Sequence, residues 1–236
     1  MSNKDPYNEL DYAYQVLKTF AVTHNYNKWI VNLFKPYVGK NVLEIGCGIG
    51  NLTRYLRELG QISCLDESEY FLQHIKIDYP GLNFYHYDIA DKKVCERKSH
   101  HFDTIVCVNV LEHIENDEQS LINMHDILEI GGRVLIFVPA MSKLFNILDE
   151  RLGHFRRYDK TGLENKLQQT GFIVEEIRYS NLIGMIGWFL RGKFSPQGTF
   201  PVVSTILFDK LVVLWKVGKF INLPCGMSLF AVARKG

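Results

Sequence analysis

Glu44, Gly46, Gly48 and Gly50 occupy alternate positions in the run Val42-Leu43-Glu44-Ile45-Gly46-Cys47-Gly48-Ile49-Gly50-Asn51-Leu52-Thr53. An apolar strand there feeds a glycine turn and then a helix, the arrangement of a cradle for a nucleotide-type cofactor. Glycine suits it because the backbone must turn sharply and come close to a ligand, and a Cβ would obstruct one or both. The third glycine comes one position too early for a dinucleotide fingerprint, and Asn51 stands where that fingerprint needs Gly or Ala. Glu44, an acid two residues before the first glycine, suits a cofactor that carries a cationic amine.

Other residues with chemical potential follow predicted strands, where open α/β sheets bind their ligands. Asp66 ends the strand Ile62-Ser63-Cys64-Leu65 and can accept hydrogen bonds from both hydroxyls of a ribose; its alternative is a helix N-cap. Asp88-Ile89 follows Phe84-Tyr85-His86-Tyr87, and an Asx turn is the plain alternative for Asp88. Asn109-Val110-Leu111-Glu112-His113 follows the strand that ends at Val108. An unperturbed His with a pKa near about 6.5 can act as a general base at neutral pH, and the alternative for His113 is a hydrogen bond that positions a loop. Downstream, Gly153-His154-Phe155-Arg156-Arg157-Tyr158 crowds basic side chains into one loop. An Arg pair can clamp a carboxylate or phosphate, and a nearby His or Tyr can move a proton. The alternative is a self-contained ion-pair network in which Asp149, Glu150 and Asp159 neutralise the arginines.

These motifs together resemble the class I S-adenosylmethionine-dependent methyltransferases, over residues 38–180 and the last strand. The most specific parts are the acidic residue with its glycine spacing and the Asn-x-Leu-Glu-His stretch. The 153–158 loop is similar to a Gly-His-x-Arg-Arg-Tyr stretch found in bacterial members. The resemblance implies S-adenosylmethionine as cofactor, bound through Glu44, Gly46, Cys47, Gly48, Gly50, Asp66, Asp88, Ile89, Asn109 and Val110. Asp88-Ile89 would meet the adenine, and Asn109-Val110 the methionine part. It places His113, His154, Arg156, Arg157 and Tyr158 toward the methyl acceptor. The implied fold is a doubly wound, mostly parallel seven-stranded sheet with its final strand antiparallel.

The hydrophobic periodicity supplies elements to position these groups. Helices are expected over 8–20, 24–36, 51–59, 68–78 and 117–129, and strands over 41–45, 61–65, 82–87, 103–108 and 132–138. A helix near 161–170, with capping-box spacing between Thr161 and Glu164, precedes strands over 172–179 and 227–233. This alternation is that of an α/β doubly wound fold. The expected organisation is a single domain over 1–236: a helical cap over 1–37, a cofactor-binding core over 38–180, an apolar helical insertion or lid over 181–226 and the last strand over 227–236.

A chain of 236 residues with 47% hydrophobic content can bury one sizeable core. With 27 basic against 26 acidic side chains, its net charge of +1 offers nothing to a nucleic-acid backbone. The five cysteines contain no C-x-x-C pair and suit a reducing compartment. His100, His101 and His125 lack a companion pair at zinc-like spacing, so no metal is expected. The N-terminus lacks the basic-then-apolar order of a signal peptide, giving a cytoplasmic expectation. In 202–221, Thr205, Asp209, Lys216 and Lys219 fall on one narrow helical face beside a wide apolar arc, which suits core packing, a homodimer, a greasy acceptor pocket or peripheral membrane contact. The expected function is therefore methyl transfer to a small or amphipathic acceptor such as a sugar- or lipid-linked hydroxyl or carboxyl. The alternatives are an inactive cofactor-binding scaffold and a nicotinamide-dependent oxidoreductase.

Overall fold

A computed structural model of the chain describes residues 6–96, 102–182, 184–185, 187–188, 202–215 and 224–236. Seven strands form one sheet: β1 (Asn41–Ile45), β2 (Gln61–Asp66), β3 (Asn83–His86), β4 (Phe102–Val108), β5 (Leu128–Pro139), β6 (Phe172–Ser180) and β7 (Ser228–Lys235), in the order β3-β2-β1-β4-β5-β7-β6. The pairs from β3 through β5 are parallel, and β7 runs antiparallel to both β5 and β6. The order reverses direction at β1 and β4. In a doubly wound sheet this is the switch point, where connections leave to opposite faces and open a crevice at the carboxyl ends of the strands.

Strand alternation divides the core in two. Leu43, Ile45, Ile105, Val134 and Ile136 pack on one face against α5 (Asp117–Ile127) and α7 (Lys160–Gln169). Val42, Ile62, Val106, Leu135 and Phe137 pack on the other against α2 (His24–Phe34), α3 (Thr53–Leu56) and α4 (Glu69–Asp78). Glu44 shares this second face with Val42, which turns its carboxylate toward Thr53 at the start of α3. The first helix, α1 (Pro6–Ala21), reaches the glycine turn, where Asn51 Nδ2 donates to the Leu17 carbonyl at 2.9 Å.

Several expected boundaries move, each for a local reason. The helix expected over 51–59 shortens to Thr53–Leu56. The capping box at Thr161 and Glu164 does not form, because α7 starts at Lys160 with Asp159 as its N-cap, and the Asp159 carboxylate accepts instead from Ser142. A capping box forms elsewhere, at Asn146 and Asp149, starting α6 (Ile147–Leu152), which Gly153 ends in the left-handed conformation.

The 181–226 insertion is described only in part. Arg191, Lys193, Lys216 and Lys219 lie outside the described residues, as does the part of the 202–221 helix beyond α8 (Val202–Trp215). Within α8 the narrow polar face turns inward. Thr205 and Asp209 are buried, while Ile206, Leu207 and Leu211 are exposed. Asp209 accepts from the Tyr26 backbone N–H at 2.8 Å and from Asn25 Nδ2 at 3.0 Å, so its charge sits on the N-terminal turn of α2, where the helix leaves its N–H groups unpaired. Among the described residues, no helix is long and apolar enough to cross a membrane.

Candidate active site

The glycine turn is built around Asp66 as much as around its glycines. Gly46 and Cys47 donate their backbone N–H groups to the Leu65 carbonyl at 2.7 and 3.3 Å, tying the turn to the end of β2. Asp66 Oδ2 then accepts the Gly48 N–H at 2.8 Å, and Oδ1 accepts the Ser68 N–H at 2.9 Å. Ser68 itself is the N-cap of α4, so Asp66 joins the turn to the start of the helix without being the cap. Each carboxylate oxygen keeps a second lone pair for a ribose hydroxyl.

Gly46 and Gly48 have φ of +68° and +53°, a region that L side chains rarely adopt. A Cβ on Gly46 would stand 2.3 Å from Val110 Cγ2. This close approach brings the exit of β1 against the exit of β4. Asn109, exposed at the carboxyl end of β4, also has a positive φ of 52°, held by its N–H bond to the Phe137 carbonyl at 2.8 Å.

Glu44 is 3% exposed, and Oε2 accepts from the Thr53 hydroxyl at 2.6 Å. Burial pushes its pKa up to about 8; the Thr53 bond opposes the rise and the Asp66 charge adds to it. A buried acid short of a cation at the cradle's edge fits a cofactor bearing an ammonium group. Burial likewise raises Asp66, against the Ser68 and Gly48 N–H bonds. Cys47 packs beside Cys64, and that contact together with burial keeps its thiol protonated. Asp88 forms the Asx turn, Oδ1 accepting the Ala90 N–H at 2.8 Å, while Ile89 is buried with its carbonyl held by Asn123. Gly50 lies against Tyr79 and Ile75, inside the packing behind the turn. Beyond this inward-facing glycine, the strand ends bring Glu44, Gly46, Gly48, Asp66, Asp88 and Asn109 to one edge of the sheet.

Beside β4, a second cluster gathers at the 310 turn Leu111–His113 and the loop after α6. His154 Nδ1 lies 2.8 Å from Asp149 Oδ1, and the His113 and His154 rings meet edge to face with centroids 4.7 Å apart. The Phe155 N–H donates to the Glu112 carbonyl at 2.8 Å, fastening the loop to the turn. Glu112 is 1% exposed, and neither of its carboxylate oxygens has a hydrogen-bond partner among the described residues. Sequence reasoning named Glu112 only as part of a motif and Asp149 only as a neutralising charge. The signal for Asp149 is the Asn146-x-x-Asp149 spacing, which starts a helix and so turns the acid inward.

The His113 pKa is lowered to about 4, by desolvation first and then by the adjoining His154, which favours the neutral ring. Two expectations are corrected here. Arg157 does not form half of an open clamp. It is buried, with Nε on Asp149 Oδ1 at 2.8 Å, Nη1 on the Ala140 carbonyl at 3.1 Å and its guanidinium over the Trp188 ring. Arg156 and Tyr158 are engaged as well, on Asp117. Arg156 Nη1 lies 2.9 Å from Asp117 Oδ1, and the Tyr158 hydroxyl lies 2.8 Å from Asp117 Oδ2. Lys166 adds a third contact to Asp117 at 2.9 Å. Burial would raise the Asp117 pKa, but Lys166, Tyr158 and Arg156 together hold it below the usual range. The ion-pair alternative thus describes this stretch, with Asp117 in place of Glu150 and Asp159.

A doubly wound sheet ending in an antiparallel β7, with a buried acid, positive-φ glycines and a ribose-type acid at its switch point, defines a class I S-adenosylmethionine-dependent methyltransferase. The chain belongs to the methyltransferase domain family, whose profile matches residues 20–177. It is similar to the mitochondrial ubiquinone biosynthesis O-methyltransferase of Schizosaccharomyces pombe, with 26% identity over 60% of this chain and 58% of the relative, so the match spans a little over half of that protein's length. In fold it is similar to a TehB-like methyltransferase of Corynebacterium glutamicum (TM-score 0.61, 20% identity, 98% of this chain and 100% of the other covered). It also resembles the N-methyltransferase NodS of Bradyrhizobium japonicum, solved with S-adenosylhomocysteine (TM-score 0.57, 16% identity, 89% and 85% covered). The cofactor of this cradle is S-adenosylmethionine.

Proposed function

We propose that this protein transfers the methyl group of S-adenosylmethionine to an oxygen of a small or amphipathic acceptor seated at the Glu112, His113 and His154 corner. The observation that carries this reading is the gathering of three groups able to accept a proton or ligate an ion, beside the strand end that lines the cradle. The sulfonium supplies an activated methyl and a good leaving group, so the protein's task is alignment and removal of the acceptor proton. Asp149 orients His154 through Nδ1, which leaves the other ring nitrogen for the acceptor side. Arg156, Arg157 and Tyr158 hold the loop that carries His154. The similarity to the Schizosaccharomyces pombe O-methyltransferase favours oxygen as the methylated atom.

The test is transfer of a radiolabelled methyl group to a panel of quinol-, sugar- and lipid-linked hydroxyl and carboxyl acceptors, with calorimetry of S-adenosylhomocysteine run in parallel. Label on an oxygen of one acceptor class is expected. Tight cofactor binding with no transfer across the panel would instead favour the scaffold reading.

A further inference from the structure

We infer that Glu112, His113 and His154 form a binding site for one divalent metal ion of the kind that takes mixed imidazole and carboxylate ligands. One ligand atom from each residue lies within 4.8 Å of the other two, and no other such group occurs among the described residues. The spacing that excluded a metal from the sequence concerned pairs close along the chain, whereas here Glu112 and His113 meet a histidine some forty residues later through the folding of a loop.

The observation pointing to a ligand is the Glu112 carboxylate. It is 1% exposed and lacks a partner on either oxygen, an arrangement that is costly unless something positively charged completes it. Arg157 does not complete it by a hydrogen bond: its Nε and Nη1 are engaged by Asp149 and the Ala140 carbonyl, and its Nη2 has no partner among the described residues. With Arg157 paired to Asp149, the Glu112 carboxyl has no charged hydrogen-bond partner of its own among the described residues.

The surroundings are those of ligands held for a metal. His154 Nδ1 is fixed on the buried Asp149, leaving the other ring nitrogen to coordinate, and the Gly153 backbone adjoins the Nδ1 side of His113. Carboxylate and carbonyl groups behind ligating histidines set the tautomer and the ring direction in this way. Two histidines and one carboxylate leave at least one coordination position open, the pattern of catalytic rather than structural zinc sites. Glu112 is buried and His113 exposed, so the cluster stands at the boundary between the interior and solvent.

The role, though not the existence, of the ion rests on the function proposed above. An ion held there would lower the pKa of an acceptor hydroxyl bound to it, so that the proton would pass to solvent, the oxygen would form the O–CH3 bond, and the S–CH3 bond of the sulfonium would break to leave S-adenosylhomocysteine.

The experiment uses the full chain, treated with a chelator and titrated with Co2+ as a spectroscopic stand-in for Zn2+, with calorimetry of Zn2+ alongside. One Co2+ per chain is expected, with visible absorption bands that Zn2+ abolishes. Glu112→Gln and His154→Ala should each weaken binding by at least about 10-fold, the scale at which even outer partners of metal ligands matter. His125→Ala, outside the cluster, should leave binding unchanged. Absence of stoichiometric binding by the wild type, or binding that both substitutions leave intact, would overturn the inference. Binding of S-adenosylhomocysteine is measured separately on the same preparations. Metal without cofactor binding would sink the methyltransferase reading alone, and cofactor without metal binding would sink the metal site alone.

Discussion

Asp149 Oδ1 takes His154 Nδ1 and Arg157 Nε at the same distance, 2.8 Å, so one buried oxygen orients the ring at the acceptor corner and neutralises the guanidinium behind it. The two jobs separate by substitution. His154→Ala removes the acceptor-side group and leaves Asp149 paired with Arg157, so the fold and cofactor affinity should persist while turnover falls by about 100-fold or more. Asp149→Ala strips a fully buried Arg157 of its partner, and breaking a buried pair costs about 3–5 kcal/mol. Chemical denaturation should show that loss for Asp149→Ala and almost none for His154→Ala; equal destabilisation by the two would contradict the division of labour.

Arg156 and Tyr158 should behave as structural residues despite standing in a loop that reads as catalytic. Both are bound to Asp117, itself 3% exposed. Tyr158→Phe leaves an Asp117 oxygen short of a donor and should cost about 1–3 kcal/mol. Arg156→Ala should cost less, because its side chain is 28% exposed and Lys166 remains on the same oxygen. Turnover per folded molecule should stay within a few-fold of wild type for both, measured well below their melting temperatures. A hundredfold loss with stability intact would return them to the acceptor site.

Glu44 predicts a pH dependence whose sign is the reverse of a salt-bridged acid. Its folded pKa is raised to about 8, above the ordinary carboxylate value, so the folded protein binds more protons than the unfolded chain between those two values. The stability of the cofactor-free protein is therefore retained at low pH within this window and lost as pH climbs toward 8. Glu112, also raised to about 8 by burial, adds a loss of the same sign. Thermal melts at pH 6 and pH 8.5 should fall more for wild type than for Glu44→Gln, which cannot ionise. Parallel slopes for the two proteins would refute the assignment.

The cradle was largely legible because its signals are local. A short apolar run, glycines at alternate positions and an acid at the end of the next strand each encode one turn of backbone, and parallel pairing then brings the strand ends to one edge. The acceptor corner was less legible because it depends on convergence. Glu112 stands out in sequence only as part of the Asn-x-Leu-Glu-His stretch, and nothing along the chain shows that its oxygens lack partners. Arg156 and Arg157 look alike in sequence, yet Arg157 is drawn inward to Asp149 while Arg156 reaches Asp117 from the rim. Counting arginines in a loop gives no hint of which acids lie across from them.

The partners of α8 are equally distant in the chain. A helical wheel sets Asp209 on a narrow polar face beside a wide apolar arc without showing which side is covered, and the acid is taken up at the start of α2, where helical N–H groups have no partner of their own. Asp209 accepts from the Tyr26 N–H at 2.8 Å and from Asn25 Nδ2 at 3.0 Å, and the buried Val212 packs into the same core as Trp29 and Ile30 of α2. The carboxylate thus latches α8 onto the N-terminal helices. Asp209→Ala should cost about 1 kcal/mol, in line with the loss of a helix cap, with α8 becoming the first site of cleavage in limited proteolysis. Asp209→Asn keeps an acceptor oxygen for the Tyr26 N–H but not the charge at the helix N-terminus, so it should recover part of the protection, and recovery should be greater at high salt, where wild type itself gains less from the charge. If alanine at this position leaves both the proteolysis pattern and the melting temperature unchanged, α8 is held by its apolar contacts alone and Asp209 is not its latch.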